Sequence, residues 1–81
     1  MKLWIGNLDA ATTDDELRAF VRKYAGREII SLKHVPGDGS RPGVMLELEG
    51  AGAAELNQAQ LRLHGMYWKN RALVTQVLPS V

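Results

Sequence analysis

The chain has 81 residues, no cysteine, an apolar fraction of 46% and a formal net charge of +1. That length makes one domain and is too short for two, and the missing cysteine excludes disulfides, thiolate metal sites and thiol nucleophiles together. Apolar runs of only a few residues predict no helical membrane span. Asp9 arrives before a signal-peptide core forms, so the expected location is the cytoplasm, a reducing compartment that suits a chain without disulfides.

Leu3-Trp4-Ile5 is a short apolar run ended by Gly6-Asn7, which reads as a strand and its exit. Thr13-Asp14-Asp15-Glu16 matches a capping box, with the threonine hydroxyl accepting near Glu16 and Glu16 reaching back. Leu17, Phe20, Val21 and Tyr24 follow at i, i+3, i+4 and i+7, one apolar stripe of a helix that Gly26 stops. Ile29 to Val35 is rich in β-branched and apolar residues and predicts a second strand, followed by a loop over Pro36-Gly37-Asp38-Gly39-Ser40-Arg41-Pro42. Val44, Leu46 and Leu48 alternate with Met45 and Glu47, the period of a half-buried strand. A second helix is predicted from about Ala51 to Leu61, against the tendency of Gly50 and Gly52 and with Gln60 on its apolar stripe of Leu56, Ala59 and Leu63. An extended chain over Leu61 to Gly65 is the alternative reading of that segment, and Arg71 to Leu78 predicts a closing strand. The order β-α-β-β-α-β is a split βαβ arrangement: an α+β, ferredoxin-like sandwich with a four-stranded antiparallel sheet and both helices on one face.

Leu3-Trp4-Ile5-Gly6-Asn7-Leu8 resembles the six-residue ribonucleoprotein motif of the RNA recognition motif (RRM) family, which runs aliphatic, aromatic, aliphatic, Gly, Asn, Leu. Thr12 to Arg18, then Phe20 and Tyr24, sit at the family's offset for the first helix. Arg41-Pro42-Gly43-Val44-Met45-Leu46-Glu47-Leu48 takes the place of its eight-residue motif, and Leu63-His64-Gly65, Asn70-Arg71 and Leu73 resemble its closing segment. The resemblance covers essentially residues 1–81 as one domain. It implies that the open sheet face binds single-stranded RNA, or single-stranded DNA, through aromatic residues that stack on bases. The eight-residue motif departs from the family pattern: its second position is Pro42, and its two sheet-face aromatic positions hold Gly43 and Met45.

Strand alternation sends Lys2, Trp4 and Gly6 to the open face and Leu3 and Ile5 to the core. By the same rule Arg41, Gly43, Met45 and Glu47 join Trp4, as do Ser31, Lys33, Val74 and Gln76, with Leu73 and Thr75 inward. The expected RNA contacts are therefore Lys2, Trp4, Asn7, Lys33, Arg41, Gly43, Met45, Val74 and Gln76. Trp4 is the one stacking ring; Glu47 faces the phosphates it would repel; Lys2, Lys33, Arg41, Lys69 and Arg71 make a basic fringe. Rings restored at 43 and 45 are expected to tighten binding. The competing reading of Trp4 is a core or protein-contact aromatic. Trp68 reads as core and Tyr67 as a rim contact. His34 and His64 have no spacing to another ligand and read as structural, so no metal is expected. The glycines at 37, 39, 43, 50 and 52 form no phosphate loop, and no Ser-His-Asp arrangement or carboxylate pair stands out. No catalysis, cofactor, small-molecule substrate or membrane partner is expected. The alternative function is a protein-interaction module on the same fold, although the Arg-x-Phe loop of such variants is here Arg71-Ala72-Leu73. A net charge of +1 decides between neither reading.

Overall fold

The computed structural model describes residues 1–35 and 43–78. Among these residues the chain runs β1 (Lys2–Gly6), α1 (Asp14–Ala25), β2 (Ile29–Val35), β3 (Gly43–Leu48), α2 (Ala53–Leu63), β4 (Tyr67–Trp68), β5 (Arg71–Ala72) and β6 (Val74–Leu78). The expected loop over residues 36–42 lies outside the described residues.

Strands β2, β3, β1 and β6 form one antiparallel sheet in that order. Leu3 and Ile5 of β1, Val44, Leu46 and Leu48 of β3 and Leu73 just before β6 are buried on one face. They meet Leu17, Phe20 and Val21 of α1 and Leu56, Ala59 and Leu63 of α2. The sheet and α1 residues are the expected core, extended by Leu56, Ala59 and Leu63 of α2 and by Leu8 and Ile29, while Leu32, expected to be buried with them, is half-buried at the margin on the edge strand.

The helix ends follow the local chemistry. Glu16 N–H donates to Thr13 Oγ1 at 3.2 Å and Thr13 N–H donates to Glu16 Oε1 at 3.0 Å, the predicted reciprocal box. Gly26 closes α1 at φ 70°, where a side chain would be strained. The second helix occupies Ala53–Leu63, shifted about one half-turn past the expected span, so the extended alternative does not hold. Its glycines precede the helix instead of weakening it. Gly50 turns the chain at φ 67°, and Gly52 N–H donates to Glu55 Oε1 at 2.8 Å as the N-cap.

Two features of the sheet were not in the expected plan. A bulge lies between Ile29 and Ser31 of β2. One extra residue there lets both Ile29 and Leu32 face the core while Ser31, Lys33 and Val35 share the opposite face. The closing strand is also interrupted. Lys69 and Asn70, at φ 53° and 65°, turn β4 back onto β5 as a two-residue hairpin. Leu73 N–H donates to Met66 O at 2.9 Å and Gly65 N–H to Leu73 O at 2.7 Å, so the chain joins the main sheet only from Val74.

The outer edge of β6 is covered by α2. Thr75 N–H donates to His64 Nδ1 at 3.1 Å, Thr75 Oγ1 to Gln60 O at 3.1 Å, and Gln60 Nε2 to Thr75 O at 3.3 Å. Gln60, the polar residue on an apolar stripe, therefore satisfies the backbone of an edge strand that would otherwise expose it.

Candidate nucleic-acid interface

The face opposite the helices is built from three cross-strand rows. Registers place Lys33, Met45, Trp4 and Gln76 side by side, one from each strand. One row along lie Ser31, Glu47, Lys2 and Leu78; on the other side lie Val35 and Gly43, and Gly6 opposite Val74. The structure therefore brings Lys2, Trp4, Lys33, Gly43, Met45, Val74 and Gln76 of the sequence-derived set onto one face. Arg41 lies outside the described residues. A shallow trough of about 320 Å³ crosses the face between Trp4, Val35, Met45, Gln76 and Leu78. Val35, in its lining, is 37% exposed, and Val74, opposite Gly6 on the same face, is 44% exposed.

The Trp4 indole lies flat on the sheet. A Cβ built on Gly6 would come within 2.2 Å of Trp4 Cη2, and one on Gly43 within 2.8 Å of Trp4 Nε1. The six-membered ring thus covers Gly6 on its own strand, and the Nε1 edge covers Gly43 on β3. Both glycines are buried although they sit on the open face, and Trp4 itself is half-buried. Trp4 belongs to the open face, as alternation predicts, and is not part of the core.

Charge on this face is sparse. Lys2 Nζ stands 3.6 Å from Glu47 Oε1, so these two offset one another at one end of the sheet. Glu47, expected to repel phosphates, is compensated by a cation on the neighbouring strand. Lys33 is exposed and makes no ion pair among the described residues. Of the wider fringe, Lys69 is committed elsewhere. Lys69 Nζ pairs with Glu16 Oε2 at 2.7 Å on the helical side, and its ammonium lies 5.6 Å from the Trp68 ring centre. That contact, with the Thr13 N–H, pulls the Glu16 carboxyl down to about 2. Arg71 pairs in register with Trp68 in the β4–β5 hairpin.

Other residues singled out from the sequence have structural partners. Asn7, at φ 63°, donates from Nδ2 to Ala72 O at 2.8 Å and ties the exit of β1 to β5. Trp68 is half-buried and stacks on Phe20 with centroids 4.2 Å apart and planes at 22°, in keeping with a core role. Tyr67 is 71% exposed. His34 Nε2 lies 2.6 Å from Asp14 Oδ1, linking the edge strand to the first turn of α1, and His64 accepts from Thr75 as described. Among the described residues no group of three His, Asp or Glu converges as a metal site would require. No helix among them is long and apolar enough to cross a membrane.

The flat indole is the feature the sequence reading missed. Its signal was present: Gly6 lies two residues from Trp4 on the same strand and Gly43 two residues from its partner Met45 on the next, so the neighbouring surface lacks side chains. The pairing register needed to see this is not written in either motif alone.

No protein-family model matches the sequence, and no curated protein matches it. Solved structures do. The RRM3 domain of Pes4 superposes with a TM-score of 0.79 at 18% identity over 99% of this chain and 93% of its own. The first two RRM domains of the yeast poly(U)-binding protein Pub1 give 0.76 at 23% identity, over 100% of this chain and 48% of theirs. The three N-terminal RNA-binding domains of the yeast splicing factor Prp24 give 0.77 at 16% identity, over 99% of this chain; the chain spans 31% of that structure. With two helices behind an antiparallel β2-β3-β1-β6 sheet, and with these structures as its neighbours, the chain has the fold of the RNA recognition motif.

Proposed function

We propose that the open sheet face binds single-stranded RNA, with single-stranded DNA as a weaker or equal ligand. The carrying observation is the cross-strand row Lys33, Met45, Trp4 and Gln76, at whose centre the indole lies flat with one π-face turned outward. A base stacks on that face, a contact of about 1–3 kcal/mol. The Met45 thioether touches the same base or its neighbour. The Gln76 amide offers a donor and an acceptor to a base edge, and Val74 contacts the base or sugar beyond it. Lys33 and Lys2, with Arg41, meet phosphates. Asn7 and Gly43 act from beneath, one by fixing the strand exit and the other by seating the ring. With one ring and few cations the affinity is modest. The assignment involves binding alone, with no reaction and no cofactor, and its setting is the cytoplasm.

Trp4→Ala tests the reading. The side chain lies on the sheet and contributes little to the core, so the domain should stay folded. Affinity for a randomised short single-stranded RNA pool, read by fluorescence anisotropy of labelled RNA, should fall roughly 5- to 150-fold. Unchanged affinity in a variant with wild-type melting would refute it. A protein-interaction module is the second reading. It is favoured by the apolar character of the trough, where Trp4, Val35, Met45 and Leu78 outnumber its polar lining residue, Gln76. Refutation of RNA binding by Trp4→Ala would put that reading first.

A further inference from the structure

We propose that Gly43 positions Trp4, so that the glycine replacing an aromatic residue on β3 is part of the binding device and not a loss from it. The inference rests on the RNA-binding reading above and concerns how its one ring is held.

The geometry is specific. Trp4 projects from β1 directly opposite Met45, and Gly43 lies two residues farther along β3 on the same face. A Cβ at 43 would meet Trp4 Nε1 at 2.8 Å and Cε2 at 3.1 Å, and a Cβ at 6 would meet Cη2, Cζ2 and Cζ3 at 2.2, 2.4 and 2.9 Å. The indole thus occupies the space of two absent side chains, one on its own strand and one on the next. Any residue larger than glycine at 43 lifts or rotates the ring, because the nearest obstruction is the ring itself. A tryptophan lying flat across two strands exposes one broad face. A tryptophan standing off the sheet turns an edge outward and gains rotamer freedom that stacking must then remove.

The consequence for the ligand is a single seated base. Where a sheet carries several rings, it stacks successive bases; here the ring area on β1 and β3 is concentrated in one bicyclic side chain. The expectation that an aromatic residue at 43 would tighten binding therefore reverses. A tyrosine at 43 would compete with Trp4 for the same place on the sheet.

A double-mutant cycle tests this, with affinity for the short single-stranded RNA pool measured for wild type, Gly43→Ala, Trp4→Ala and the double variant. Gly43→Ala should weaken binding by about 5-fold, the low end of a lost stack, and should have no further effect once Trp4 is alanine. In a Trp68→Phe background, where Trp4 is the one fluorophore of its kind, Gly43→Ala should also shift emission to longer wavelength as the indole moves into solvent. The outcomes separate cleanly. If Trp4→Ala weakens binding and Gly43→Ala changes neither affinity nor emission, the positioning role is overturned while RNA binding stands. If Gly43→Ala weakens binding equally with and without Trp4, the added methyl acts through the Ile5 carbonyl, 3.0 Å from the same Cβ position, and the inference fails. If Trp4→Ala leaves affinity intact, the functional reading falls and takes the inference with it.

Discussion

Asn7 separates structural from binding roles at the edge of the candidate site, because its two possible contributions predict different readouts. It sits at φ 63°, and its Nδ2 donates to Ala72 O at 2.8 Å. Asparagine tolerates left-handed backbone, whereas alanine there costs roughly 1–2 kcal/mol. The side-chain hydrogen bond adds about 0.5–1.5 kcal/mol net. Asn7→Ala should therefore destabilise the domain by about 2–3 kcal/mol, which for a domain of this size lowers the melting temperature by roughly 8–24 °C. Asn7→Gly removes the same hydrogen bond and relieves the backbone strain, so its loss should be about half as large even after the added unfolded-state entropy. Thermal unfolding followed by circular dichroism measures both. RNA affinity at a temperature where each variant is fully folded should change less than about 2-fold, since the amide is turned toward β5. Wild-type melting of Asn7→Ala with a tenfold drop in affinity would refute the latch and make Asn7 a direct contact.

Three other expectations follow from the same geometry. Met45→Phe places a ring beside Trp4 in the central row and should tighten RNA binding by about 1 kcal/mol, roughly fivefold, after the lost thioether contact is subtracted; equal or weaker binding in an anisotropy titration would contradict it. With Lys2, Lys33 and Arg41 as the phosphate contacts, log affinity should fall against log salt with a slope of about −2 at roughly −0.7 per phosphate. A slope near −3.5 would mean that Lys69 and Arg71 also reach the strand. The Glu16 carboxyl is held at about 2, below its ordinary 4.5, first by the Lys69 ammonium and then by the Thr13 N–H. Its folded-state value is the lower one, so its contribution is complete above about 4.5 and is lost as pH falls through about 2. Glu16→Gln should flatten the acid side of a melting-temperature profile between those values, and an unchanged profile would rule out the ion pair as a source of stability.

The sequence alone determined the first three strands, the two helices and the division of faces. The Thr13–Glu16 box, the stripe through Leu17, Phe20 and Val21, and the alternation of Val44, Leu46 and Leu48 are local patterns, fixed by backbone periodicity and short-range hydrogen bonds. They sufficed to place Trp4, Met45, Val74 and Gln76 together on the face away from the helices. Local pattern could not supply what depends on pairing between distant strands. The bulge at Ile29–Ser31 is decided by which residue of β3 each residue of β2 meets. The severing of Arg71–Ala72 from β6 depends on Leu73 bonding to Met66 and Gly65. Gln60, a misfit on its helical stripe, is explained only by Thr75, whose backbone it satisfies. Lys69 is basic in sequence but is committed to Glu16, 53 positions earlier in the chain. Above all, Gly6 and Gly43 read separately as a strand exit and a departed aromatic position. Only their cross-strand register makes them one bed for the Trp4 ring, because an indole reaches across two strands while a motif describes one.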